Sequence, residues 1–165
     1  MTFLKKSKAI NTMLNEISTE INLQKAEFDN VKLDYFVILL YGEFENDLNY
    51  VIEKKIMYKN NFGRNYISFL KANDTKLHRG LKGEKFKELL KKVFGVEILS
   101  LMSNHDWEIF LAFIDFRHAI AHFLKSYDQK KDALTLKIKS TNDLIVAVDN
   151  LLLGLDSVSR VRIMY

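Results

Sequence analysis

Residues 104–126 read NHDWEIFLAFIDFRHAIAHFLKS, and this stretch predicts a long helix that is apolar on almost every side. Apolar side chains occupy nearly every direction around it, among them Trp107, Phe110, Leu111, Phe113, Ile114, Phe116, Ile120, Phe123 and Leu124. A helix that is apolar all round lies at the centre of a bundle or between subunits, because a surface helix needs a polar face. The stretch therefore predicts the central helix of an all-α fold.

The rest of the sequence favours helices as well. None of its 165 residues is proline, so nothing interrupts a long helix by that route. Apolar spacing of three and four residues predicts helices at about 4–28, 33–58, 66–72 and 84–94, and another that begins at Ser140 or Thr141 and ends near residue 155. Residues 133–139 alternate with period two and predict a short extended segment. We expect a single all-α domain over residues 1–165, a bundle of five or six helices.

Composition excludes several classes of protein. The absence of cysteine excludes disulfide scaffolds, thiol catalysis and thiolate metal sites. The longest apolar run, residues 35–41, is far shorter than the ~18 residues of a membrane-spanning helix. The amino terminus becomes polar before a signal-peptide core could form. These features predict a cytoplasmic protein.

Positive charge is concentrated in one segment. The net charge is +4, and residues 71–92 hold eight basic against three acidic residues. Such a segment attracts a polyanion such as RNA, which makes Arg79, Lys82 and Lys85 candidate RNA-binding residues together with Lys125. The alternative is an ordinary solvated helix face with flanking loops.

A polar cluster interrupts the apolar helix at Asp115, Arg117, His118, His122 and Lys125. At 100° per residue all of these but Arg117 share one side, and Arg117 lies about 140° from His122. Arginine and histidine are rarely buried unless they are paired or functional. The cluster is therefore the candidate functional site.

The cluster has four interpretations. It is a set of structural polar contacts, a metal site, a nucleophile relay, or a centre for metal-free phosphodiester cleavage. Metal binding is suggested by the i, i+4 spacing of His118 and His122, but ligands from other segments are not evident. A nucleophile relay would need a serine elbow or a cysteine. In phosphodiester cleavage a histidine moves the 2′-hydroxyl proton and an arginine holds the charge on the phosphorane.

Residues 117–122, RHAIAH, resemble the R-x4-H motif of the HEPN superfamily, whose members are helical and often endoribonucleases. His118 fits the polar residue that commonly follows the arginine, and Ala121 fits the small residue before the final histidine. The motif also lies late in the chain on a long apolar helix, as in that family.

The resemblance implies a homodimer in which motif helices from two chains form each active cleft. Arg117 would bind the scissile phosphate and stabilise the transition state, His122 would act as general base or acid, and His118 would position His122 or the phosphate. Cleavage would need no metal or cofactor and would leave a 2′,3′-cyclic phosphate and a 5′-hydroxyl. Such a protein would be a toxin or an antiviral effector. The alternative function is a non-catalytic helical module that binds a nucleotide, RNA or a protein.

Residues 41–48, YGEFENDL, look like the second-helix segment of HEPN-like nucleases that carry an acidic residue there. Glu45 is the candidate auxiliary residue, since it shares a helix face with core positions, and Glu43 is the alternative. Some HEPN toxins have a tyrosine two residues after the histidine that a partner antitoxin modifies. Leu124 occupies that position here, so neutralisation by that route is not expected, and another antitoxin or a defence-system partner is the alternative.

Overall fold

The computed structural model describes residues 2–20, 25–57, 86–88, 90–91 and 95–160. The α-helices are α1 (Phe3–Glu20), α2 (Lys25–Met57), α3 (Asn104–Ala121), α4 (Tyr127–Thr135) and α5 (Thr141–Arg160), with a 3₁₀ turn at Ile98–Ser100 before α3. No strand occurs within these ranges. The prediction of an all-α helical bundle is confirmed.

Helix α3 lies at the centre, in contact with α2, α4 and α5. Its Phe110 ring packs edge-on against Phe44 of α2 at a centroid distance of 5.2 Å, and it contacts Phe86 at 5.4 Å and Trp107 at 5.5 Å. One chain thus covers the apolar surface of α3. A second subunit is not needed to bury it, although the sequence left both arrangements open.

Helix α2 begins at Lys25, well before the predicted start at residue 33. Its buried face carries the predicted stripe of apolar side chains, which includes Val37, Leu40, Phe44, Leu48 and Val51. Helix α1 packs on α2, and the ammonium of Lys6 bridges the two helices through Glu43 at 2.9 Å and Asp47 at 3.0 Å.

The predicted extended segment at 133–139 is wrong, because α4 continues through Thr135 and a turn follows. Leu134 is fully buried whereas Leu136 is 87% exposed. In a strand these two residues would share a face, but in a helix residues two apart point in nearly opposite directions. The alternation of apolar residues was therefore coincidental.

Some of the other predicted helix ends lie within the described residues. Helix α5 begins at Thr141, where the Asp143 carboxylate accepts hydrogen bonds from the backbone N–H groups of Lys139 and Ser140 at 2.7 and 3.1 Å. Residues 86–88 and 90–91 are helical, and Gly95 closes this segment at a φ of 72°. The predicted helix at 66–72 lies outside the described residues. Across the part of the chain that is described, none of the helices has the length and hydropathy to cross a membrane.

Two helical glycines provide a matched test of packing. An added Cβ at Gly42 of α2 meets nothing within 4 Å, whereas at Gly154 of α5 it lies 2.9 Å from the Leu101 Cβ and 3.1 Å from the Leu101 carbonyl oxygen. We expect Gly42→Ala to raise the free energy of unfolding by about 0.5–1 kcal/mol through helix propensity. We expect Gly154→Ala to lower it by about 1–2 kcal/mol because the crowded atoms include backbone. Urea unfolding of both variants measures the difference, and equal stabilities would contradict the close approach of Leu101 to α5.

Candidate active site

The R-x4-H segment lies at the carboxyl end of α3. Ser103 caps the other end of this 18-residue helix, where its hydroxyl accepts a hydrogen bond from the Asp106 N–H at 3.0 Å. The helix ends at Ala121, and His122 is the carboxyl-terminal cap. The predicted continuation of the helix to residue 126 is therefore wrong. The consequence is that His122 stands at the rim of the bundle rather than in its centre.

The helix ends in a Schellman motif. The Leu124 N–H donates to the Ala119 carbonyl at 3.1 Å, and the Phe123 N–H donates to the Ile120 carbonyl at 3.3 Å. This motif requires a left-handed residue after the cap, which is usually glycine. Here that residue is Phe123, with a φ of 49°. A non-glycine residue pays roughly 1–2 kcal/mol for this conformation.

The turn exposes side chains that the sequence assigned to the core. Phe123 is 96% exposed and Leu124 is 37% exposed. The expectation that both are buried in the helix is wrong, because the left-handed turn directs the chain away from the bundle. The carboxyl end of α3 therefore presents apolar surface next to the histidines.

Arg117 points toward α2. Its guanidinium carbon lies 4.2 Å from the centre of the Tyr41 ring, a cation–π geometry. The Arg117 Nε is buried and has no hydrogen-bond partner among the described residues. The guanidinium is thus held against a ring face, with its Nε–H buried and unpaired among the described residues.

Tyr41 links Arg117 to Glu45. Burial raises the pKa of Tyr41 to about 12, and the charge of Glu45 and its hydrogen bond with the hydroxyl act in the same direction, while Arg117 opposes them. Tyr41 is therefore neutral near pH 7, and its hydroxyl donates to the Glu45 carboxylate. This places the predicted auxiliary residue Glu45 in the Arg117 environment. The alternative Glu43 faces α1, where it pairs with Lys6.

The two histidines of the motif lie against each other. Their ring centroids are 4.3 Å apart and the ring planes are inclined by 55°. His122 is exposed and His118 is half-buried. An exposed imidazole supported by a second ring is open to a substrate and limited in its orientations.

The remaining polar residues of the cluster are occupied differently. The Asp115 carboxylate pairs with the Lys130 ammonium of α4 at 2.8 Å, which ties α3 to α4. Lys125 is exposed in the turn before α4. Among the described residues, no three histidine, aspartate or glutamate side chains are grouped so that they could hold a metal ion.

The structure places the candidate residues in different surroundings. It brings His118 to His122, and Arg117 to Tyr41 and through it to Glu45. The candidates Arg79, Lys82 and Lys85 lie outside the described residues. Tyr41 was not predicted as a site residue, although its position one turn before Glu45 on the same helix face was a usable signal.

No protein-family model matches the sequence, and no curated protein or solved structure is significantly similar to it. A functional interpretation therefore depends on the six-residue motif and on the surroundings of Arg117 and the two histidines.

Proposed function

We propose that this protein is a HEPN-type, metal-independent endoribonuclease. The observation that carries the proposal is the end of α3, where the ring of the exposed His122 contacts the His118 ring in the same six-residue motif as Arg117. An accessible acid–base group and a phosphate-binding cation on one helix end are the groups that RNA cleavage requires.

The proposed reaction is an internal transesterification. The 2′-oxygen attacks the adjacent phosphorus as a base takes its proton, and the bond from phosphorus to the 5′-oxygen breaks as an acid returns a proton to that oxygen. Arg117 would bind the non-bridging phosphate oxygens, whose charge increases in the transition state. His122 would serve as the base or the acid, and His118 would orient its ring. The products are a 2′,3′-cyclic phosphate and a 5′-hydroxyl.

Tyr41 and Glu45 would act through Arg117. The Tyr41 ring supports the guanidinium, and Glu45 accepts the hydrogen bond that fixes the Tyr41 hydroxyl. A planar guanidinium held over a ring presents its N–H groups in a defined direction, which suits two-point binding of a phosphate. We propose these two side chains as positioning residues.

The proposed enzyme is a homodimer. Support comes from apolar side chains on the solvent side of α2, where Tyr35 is 54% exposed, Ile38 38% and Leu39 39%. A second chain seated there would cover this apolar surface. Light scattering would then report twice the 19.3 kDa mass of one chain. A toxin or antiviral effector that is held by an antitoxin or a defence-system partner is the biological role that we propose.

Product analysis tests the chemistry directly. We expect purified protein to cut structured RNA equally well with and without EDTA, because no step uses a metal ion. Mass spectrometry of a short oligonucleotide should show a 5′ fragment that is lighter by one water than the linear 3′-phosphate. Fragments with 3′-hydroxyl and 5′-phosphate ends, or loss of activity in EDTA, would contradict the proposal. Intact RNA at high protein concentration would favour the non-catalytic binding module.

A further inference from the structure

The residue after His122 is unusual in both conformation and exposure. Phe123 adopts a left-handed backbone, and it is the only described residue other than glycine with a positive φ. Its side chain is 96% exposed, the highest exposure among the large apolar residues of the described chain. At the end of the helical segment before α3, the same conformation is provided by Gly95, with a φ of 72°.

Glycine or asparagine would close α3 without strain and without placing an aromatic ring in water. The fold therefore gains nothing from phenylalanine at this position. Strained residues that persist against local stability are concentrated at functional sites. An exposed aromatic ring at such a point is therefore a candidate contact for a ligand with a flat face.

The position of the ring indicates what that ligand is. Phe123 is covalently adjacent to His122, and the exposed Lys125 follows two residues later. An aromatic face next to cationic and acid–base groups matches the way proteins hold single-stranded RNA, with bases stacked on rings and phosphates on cations. Because neighbouring Cα atoms are about 3.8 Å apart, a ring at position 123 can reach a base next to a phosphate held at His122.

We propose that Phe123 is a stacking platform for one nucleobase of single-stranded RNA, next to the phosphate held by Arg117 and His122. This inference rests on the proposed function, and it adds that the substrate is unpaired at the cut. Cleavage would thus favour loops and single strands over duplexes, where a stacked base cannot be withdrawn without breaking its pair.

The turn is held firmly enough to present the ring. The Tyr127 N–H donates to the Leu124 carbonyl at 3.0 Å, and the Tyr127 hydroxyl donates to Asp34 of α2. The Lys131 ammonium pairs with the same carboxylate at 3.1 Å. These contacts attach the start of α4 to α2, so the Phe123 turn is fixed at both ends.

Binding of a labelled single-stranded 2′-O-methyl oligonucleotide tests the inference, because an RNA without free 2′-hydroxyl groups cannot be cleaved by the proposed reaction and stays intact. We expect Phe123→Tyr to retain the affinity and Phe123→Leu to weaken it by about 10- to 100-fold. Phe123→Gly should lose the same affinity while its melting temperature rises, a combination that a structural role would not produce. Leu136→Ala, at another exposed apolar side chain outside the site, should leave binding unchanged.

A substrate with one abasic nucleotide provides the decisive comparison. If Phe123 stacks on the missing base, the losses from Phe123→Leu and from the abasic nucleotide will not add. Additive losses at every position next to the cut, or equal binding by the tyrosine and leucine variants, overturn the inference. If Phe123→Leu changes the number of chains in the assembly in solution, the inference is also overturned, and the ring is assigned to a contact between chains. Because the assay measures binding, its outcome is separate from that of the cleavage assay. The stacking of Phe123 on a base can be overturned while the wild type still cleaves RNA, and it can be supported when no cleavage occurs.

Discussion

Replacing His122 by alanine is expected to lower the rate of RNA cleavage by about 10²- to 10⁴-fold, the contribution typical of one general acid–base group. Since the His122 side chain is exposed at the end of α3, its removal leaves the core intact, and the melting temperature should hardly change. Single-turnover cleavage at saturating protein measures the chemical step apart from RNA binding.

The matched control is His105→Ala. His105 is an exposed histidine in the first turn of the same helix, about 25 Å from His122 at 1.5 Å per residue. The His105→Ala variant should cleave RNA at the wild-type rate. Undiminished cleavage by His122→Ala, or an equal loss in both variants, would show that His122 does not take part in the chemistry.

Arg117→Ala is expected to lower the cleavage rate by about 10²- to 10³-fold, as removal of one preorganised charge-stabilising donor does in other enzymes. Arg117→Lys should recover only part of the rate, because lysine keeps the charge but not the planar fork that binds two phosphate oxygens. Both variants should be compared at saturating RNA, so that weakened binding does not enter the result. Thermal unfolding is needed beside the kinetics, since Arg117 also packs on Tyr41.

Lys125→Ala separates local chemistry from general charge. Lys125 is an exposed cation in the turn after the motif. Its loss should weaken RNA binding modestly without slowing the cleavage of RNA that is already bound. Should Lys125→Ala slow cleavage as much as Arg117→Ala, the effect would belong to overall positive charge. A fully active Arg117→Lys would show that a point charge suffices and that two-point binding is not used.

The fold was predictable where apolar spacing and end signals agree. The buried stripe of α2 from Val37 to Val51 and the stop at Gly95 follow directly from local sequence. The start of α2 was misplaced because residues 25–28 were assigned to the first helix, and because Asp29 and Asn30 are residues that commonly precede a helix rather than lie inside one. The prediction of an extended segment at 133–139 failed for a different reason, since seven residues are too few to distinguish period two from the end of a helix.

Spacing along α3 indicated which candidate residues lie near one another, but it did not indicate their geometry. Spacing alone placed His118 and His122 one helical turn apart, and their rings do meet. The end of α3 at Ala121 was not predictable, because Phe123 occupies a position where helix-stop signals expect glycine or asparagine. The contact between Arg117 and Tyr41 joins residues far apart in the chain, and no local pattern encodes which helix an arginine side chain will meet.

The position of α5 in the chain has a consequence for synthesis. Its core side chains, including Leu144, Val148 and Leu151, are fully buried, and α5 contacts α1, α2 and α3. All of these side chains are translated after the RHAIAH segment, and domains generally fold as units. A nascent chain that already carries both histidines thus still lacks one wall of the bundle that positions them. We expect an RNA-cutting activity in this protein to stay silent while the ribosome is still reading the codons for α5.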